Sequence, residues 1–349
     1  MRLLVKPCWF FLALLAIQPA IAGNHIGDIE FFGYKGLDIE SIRKALPVHQ
    51  GDENSEQTKS HVRRAVVGII HREPTDLKSI CCDEKGNVLL FIGLPGASSK
   101  PFTYNPEPTG NERLPPDIMG LYRRLDRAIE EAVRKGSRAA QEDDSNGYAL
   151  INDPTARSLE LEVRRWAVEH GGELLSVLNF SSSVEDRRVA SDAVGYMRQS
   201  RQQILALVHA ARDPDDEVRN NATRALGVLA KSNPVLVPEI PPDTFIDMLN
   251  SGIWTDRNKG ASLLMHLTAA RDPVLLAKIR TRALDSLIEM ARWRDSGHAY
   301  FSRIILGRIA GRPEDRLDKL AWSGPVEKII RVRRPLKGTG PRYEWSANS

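Results

Sequence analysis

Short apolar strings and helical spacing alternate through the first third of the chain. Ile29, Phe31 and Phe32 predict a short strand ending at Gly33. Behind Asp38, a capping residue, Ile39, Ile42, Ala45 and Leu46 recur at helical spacing and stop before Pro47. Ser55 opens a second helix with Val62, Ala65, Val66, Ile69 and Ile70 on one face, ended by Pro74. The run Leu77–Cys82, a Gly86-Asn87 turn and the continuous apolar run Val88–Ile92 predict a hairpin whose second strand is buried. The order is strand, helix, helix, strand, strand.

The pattern breaks over residues 95–117, where Pro95, Pro101, Pro106, Pro108, Pro115 and Pro116 predict an extended, semi-rigid linker between two folding units. From 118 to 158 a bridging helix and loop are expected. Asp117 caps a helix whose apolar face is Ile118, Leu121, Tyr122, Leu125, Ile129, Ala132 and Val133. The acidic loop 142–147 lacks the later bidentate glutamate that a calcium loop needs.

Residues 159–322 are self-similar. Glu217-Val218-Arg219-Asn220-Asn221-Ala222-Thr223-Arg224-Ala225-Leu226-Gly227 follows the turn Asp213-Pro214-Asp215-Asp216. Asp186–Gly195 places alanine, alanine and glycine in the same register, and Asp256–Ala261 repeats the opening downstream. A partial copy, Glu162–Ala167, precedes them. Each unit pairs two amphipathic helices that cannot bury their stripes alone, so the units must stack. Aligned on alanine, Arg164, Arg187, Arg219 and Asn258 fall at equivalent positions. This predicts a ladder in which arginine forks bridge to acidic turn residues such as Asp186, Asp215 and Asp216. Asn220, Arg224, Arg257 and Lys259 fall off the apolar stripe and are the expected partner-binding residues.

The Asp-x-x-Val-Arg-x-x-Ala-x-x-Ala-Leu-Gly run at 215–227 resembles a bacterial short HEAT repeat. The opening Ile29-Glu30-Phe31-Phe32-Gly33, the Asp38 helix and the Gly51-Asp52 loop resemble a polypeptide-transport-associated (POTRA) domain over residues 23–94. In place of that family's Gly-aromatic pair near the end of the second helix stands Arg72-Glu73-Pro74. The fold class expected is mainly α, a HEAT-like α-solenoid preceded by a small α/β (βααββ) domain. The resemblances imply a non-enzymatic scaffold that binds a protein or peptide partner through the helical surface and a sheet edge.

Compartment comes from the N-terminus. Arg2 and Lys6, the apolar run Cys8–Ile17 and Ala20-Ile21-Ala22 form a signal peptide over 1–22, cleaved after Ala22. A secreted or periplasmic protein with a cell-envelope partner and no stable membrane span is expected. Cleavage removes two basic residues, leaving 47 basic against 45 acidic, or +2. Such a balance argues against a nucleic-acid partner. Arg331–Ser349, with five basic residues and one acidic, makes the end of 323–349 a basic tail. Cys81 and Cys82 are expected as one core thiol and one half-exposed thiol, because adjacent cysteines rarely bridge. No nucleotide loop, G-x-S-x-G or H-E-x-x-H occurs, so no catalytic residue, metal or cofactor is assigned. The alternative is an enzyme, such as a hydrolase, whose site is assembled from dispersed residues.

Overall fold

The computed structural model describes residues 25–83 and 85–330. The expected signal peptide over 1–22 and residues 331–349 of the expected basic tail lie outside the described residues. The α/β order is as expected: β1 (Ile26–Phe32), α1 (Ile39–Ala45), α2 (Glu56–Ile70), β2 (Asp76–Ile80) and β3 (Val88–Gly93). Asp38 accepts from the Ser41 amide and Ser55 from the Thr58 amide, so both helices start where the sequence places them. The sheet order is β1-β3-β2, with β3 parallel to β1 and antiparallel to β2. Alternation along β3 explains its unbroken apolar run. Val88, Leu90 and Ile92 pack with Ile42, Val62 and Val66 of the helices, while Leu89 and Phe91 join the core of the helical array.

The array consists of helix pairs: α3 (Pro116–Arg134) with α5 (Pro154–Glu169), α6 (Gly171–Phe180) with α7 (Val184–Ala193), and α8 (Arg201–Ala210) with α9 (Asp216–Ser232). There follow α10 (Asp243–Met248) with α11 (Trp254–Leu267), α12 (Pro273–Ala291) with α13 (Ser296–Ile309), and α14 (Glu314–Ser323) with the short α15 (Val326–Ile330). The second helices α5, α7, α9, α11 and α13 stack in sequence. Gly260 permits one close approach, since a Cβ there would meet Met248 Cβ at 2.9 Å and Phe245 O at 3.0 Å.

Two boundaries move. The helix expected as a bridge is α3, the first helix of the array, because its apolar face packs on α5. The loop after it holds α4 (Ser137–Ala140) and a two-stranded pair, β4 (Glu142–Asp143) with β5 (Leu150–Ile151). Helical structure also continues past 322 to the end of the described residues.

The linker 95–117 does not separate two units. It returns along the array against the order of the repeats. Lys100 N donates to Asn250 O (2.7 Å), Asn105 N to Arg212 O (2.7 Å), Gly110 N to Phe180 O (2.8 Å) and Leu114 N to Asp186 Oδ1 (2.7 Å). This strap carries the chain from the late helix pairs, where the sheet sits, back to α3.

The α/β unit is built into the array. The Phe91 ring lies 5.0 Å from Trp254, 4.9 Å from Trp293 and 5.5 Å from His298. Carboxylates at this aromatic contact then tie backbone to backbone. Glu30 accepts from Arg294 N (2.7 Å) and Asp76 from Trp254 N (2.8 Å). From the other side Glu289 accepts from Gly33 N (2.8 Å), Tyr34 N (3.1 Å) and Ser98 Oγ (2.6 Å). After β2, Cys81 and Cys82 are joined to each other in a disulfide, which corrects the expectation of two free thiols.

Candidate interaction surface

The arginine ladder exists, with Arg187 and Arg219 as the sequence alignment places them and the members of α5 and α11 displaced. Arg157, Arg187, Arg219 and Arg257 are each the fourth residue of a second helix. Each donates to the carbonyl six residues before it: Ile151, Ser181, Asp213 and Ser251. The fork thus satisfies a carbonyl of its own inter-helix turn. Three of them also reach an acid of the following unit. Arg187 binds Asp213 (2.8 and 3.2 Å), Arg219 binds Asp256 (2.8 and 3.2 Å) and Arg257 reaches Glu289 (3.4 Å).

Two predicted members are therefore corrected. Arg164 lies late in α5, where it donates to the carbonyls of Tyr196 and Met197 and covers the Tyr148 ring. Asn258 sits next to the true member, and its Nδ2 is buried with no hydrogen-bond partner. The predicted acids also differ. Asp186 holds the strap, Asp215 pairs with Arg188 and Asp216 lies near Lys78 of β2. The strap and sheet cover the outer ends of the ladder. Tyr104 lies under Arg219 (4.6 Å), Phe102 under Arg212 (5.3 Å) and Phe32 under Arg257 (5.0 Å).

The four expected partner-binding residues are not an exposed face. Arg257 is 0% exposed, Lys259 7% and Asn220 9%: α9 and α11 pack on each other there, and the Phe32 ring of the sheet lies against Arg257. Arg257 belongs to the ladder, where burial lowers its pKa to about 10 against the pull of Glu289. Arg224 is half-buried and paired with Glu142 of β4 and Asp192 of α7. Burial pushes its pKa down, but those two carboxylates outweigh it and the net shift is upward.

Arg224 centres a polar seam between the second helices and the β4–β5 hairpin. Asp192 accepts from Tyr122 Oη (2.9 Å), and Glu160 accepts from Ile151 N (2.7 Å) and Tyr196 Oη (3.4 Å). Burial raises Glu160 to about 8 and Asp126 to about 6, with Asp192 adding to the latter. Asp144 binds Lys231 and Asp143 binds Arg157. The acidic loop thus docks the hairpin onto α5 and α9.

Two surfaces stay open. On β1 the Phe31 carbonyl accepts from Trp293 Nε1 (2.9 Å), the Ile29 carbonyl from Arg43 (3.3 Å), and Ile26 exchanges bonds with Gly51 and Asp52. That edge is closed. The β2 strand has a neighbour on one side only, and alternation turns the main-chain groups of Leu77 and Ser79 outward. The second surface is a groove of about 450 Å³ between the strap and helices α6 and α8, lined by Pro106, Glu107, Glu112, Phe180 and His209.

An Asp-His-Ser series lies at the start of α13. Asp295 Oδ1 lies 2.7 Å from His298 Nδ1, with Ser302 one turn further on. His298 and Ser302 are buried, the imidazole lies against Phe91 and Trp254, and Ser302 Oγ has no partner. The Asp295 carboxylate caps α13. Among the described residues no group of three His, Cys, Asp or Glu side chains could hold a metal ion, and no helix is long and apolar enough to cross a membrane.

Comparison with curated proteins finds no match to the chain. Residues 205–232 match the family model of the HEAT repeat. That segment is the second half of α8, the Asp213-Pro214 turn and α9 with Arg219 and Arg224, so the chain carries a HEAT repeat at the centre of its array.

Proposed function

We propose that the protein is an exported, non-enzymatic scaffold of the cell envelope. In this reading cleavage after Ala22 yields a mature chain beginning at Gly23. A POTRA-like α/β unit receives an extended stretch of a partner protein along β2. The observation that carries it is the asymmetry of the sheet: side chains of the array and of α1 close the β1 edge, whereas among the described residues no other segment hydrogen-bonds the outward main chain of Leu77 or Ser79 on β2. Main-chain hydrogen bonds to an open edge give affinity with little demand on sequence. The HEAT repeat supports the scaffold role, since stacked helix pairs commonly hold protein partners. The array's part is to fix the sheet through Phe91, Glu289 and the strap.

The test uses the whole chain, because deleting the α/β unit would strip the array's own core. Proline at Ser79 removes an outward N–H without touching the bonds to β3. Affinity capture from the native envelope fraction with wild type and Ser79→Pro should recover one reproducible partner with the first and lose it with the second. Equal recovery would remove the edge from the account. Mass spectrometry of the secreted chain reads the cleavage site directly.

A further inference from the structure

We propose that Lys259 anchors an oxyanion-binding site at the junction of α9, α11 and the β4–β5 hairpin. Lys259 is more than nine-tenths buried and makes no hydrogen bond or ion pair among the described residues. Its orientation follows from the ladder register. Arg219 and Arg257 are equivalent, so Lys259 of α11 takes the place that Asn221 takes in α9. Asn221 Nδ2 donates to Arg188 O in the preceding second helix (3.2 Å). Lys259 is likewise turned toward α9, near Asn220 and Arg224.

The charges there leave Lys259 without a direct counter-ion. Arg224 and Glu142 are the charged groups that act on it, and the Glu142 carboxylate is already bound to Arg224. Burial first, and then repulsion from Arg224, lowers the Lys259 pKa to about 8, so much of it is still an ammonium at pH 7. A buried cation lacking a partner is costly unless an anion joins it.

The neighbouring polar atoms fit such an anion. Thr255 lies one turn before Lys259 on the same face of α11, and its Oγ1 is buried with no partner. Asn220 Oδ1 on α9 is also buried and unpaired. Lys259 and Thr255 supply donors to oxyanion oxygens, and Asn220 Oδ1 can accept a hydrogen bond from a P–OH group. Inorganic phosphate at neutral pH combines both features. Binding it would pull Lys259 back toward its ordinary, fully charged state.

The probe is inorganic phosphate, with chloride at equal ionic strength as control, followed by thermal unfolding of the whole chain at pH 7. Wild type should show a saturable rise in Tm of about 3 °C near 100 mM phosphate, the size expected for millimolar binding. Lys259→Met keeps the aliphatic stem and should abolish the rise. No rise in wild type would overturn the site. An equal rise in both proteins would do so too, because phosphate then acts as an adventitious ion only. If Lys259→Met fails to fold, wild type labelled with trace acetic anhydride replaces it. Phosphate should then slow acetylation of Lys259 about 5-fold relative to the exposed lysines, and an unchanged rate would overturn the site.

Discussion

The Glu289 carboxylate, near the end of α12, accepts the backbone N–H of Gly33, 256 residues earlier, at 2.8 Å. The same carboxylate holds Tyr34 N and Ser98 Oγ and faces Arg257. One buried acid therefore joins sheet, strap and ladder. Its loss leaves the Arg257 guanidinium buried without its acidic partner, a defect worth about 3–5 kcal/mol. Glu289→Ala should lower the urea midpoint of the whole molecule accordingly. A change smaller than about 0.5 kcal/mol would show that Glu289 ties nothing together.

The rungs of the ladder should differ in strength. Arg219 and Asp256 are both buried and bond through two nitrogens, whereas Arg157 and Asp143 are a third exposed and share one contact. Arg219→Ala should cost about 3–5 kcal/mol and Arg157→Ala about 1 kcal/mol or less. Chemical denaturation of the two variants ranks them, and equal costs would contradict the buried-pair argument.

Acidity should steady the sheet contact. Burial raises Glu30 to about 7, against weaker lowering by the Arg294 amide and charge. Burial likewise raises Asp76 to about 6 and Glu160 to about 8. A carboxyl whose folded pKa is raised gives stability that is full below its unfolded pKa, near 4, and is lost as pH rises through the folded value. His266 works the other way. Burial lowers it to about 4, so its contribution is present above 6.5 and lost as pH falls from there. Between pH 6.5 and 8 His266 is constant and the acids dominate. Stability should fall over that window by up to about 1.4 kcal/mol per pH unit for each titrating group. Glu30→Gln and Glu160→Gln should each flatten the fall in Tm, and unchanged slopes would contradict these assignments.

The strap should behave as structure. Its prolines and polar residues look like an exposed linker, yet Asn105 Nδ2 donates to His209 O, and Thr103 O and Asn105 N are held by Arg212. Limited proteolysis should spare residues 98–115 in the native protein. Arg212→Ala frees the Thr103 carbonyl but leaves the main-chain bond of Asn105, and should open the strap near Thr103 before the helices are cut. Cleavage there in wild type at the same rate would show that the strap is loose.

Much of this was legible beforehand because local rules decide it. Asp38 and Ser55 announce their helices, and the Val88–Ile92 run announces a strand with no solvent face. The ladder was misplaced at its two end members, in α5 and α11, because the copies align on alanine. In α11 the small residue at the close approach is Gly260, while the alanine stands one place later. In α5 the corresponding position is Glu160, buried and bonded to Ile151 N, so no alanine marks the unit and Arg164 mimics the motif mid-helix. The seating of the sheet had no local signal. It depends on Trp254 and Trp293, each far in sequence from Phe91, meeting it in space. The apparent partner face at Asn220 and Lys259 failed for a related reason. A residue off its own helix's apolar stripe can still be buried when a hairpin or a neighbouring helix lies over it.

The central claim is that sheet, strap and array form one cooperative body that holds β2 open. Native-state hydrogen exchange tests it most directly. The amides of β3 and the β1 amides bonded to it should open with the same free energy as those of α9 and α11, near the global value, while the outward amides of Leu77 and Ser79 exchange rapidly. Exchange of the whole sheet at a distinctly lower free energy than the helices would contradict the account, for the α/β unit would then be a separately opening module.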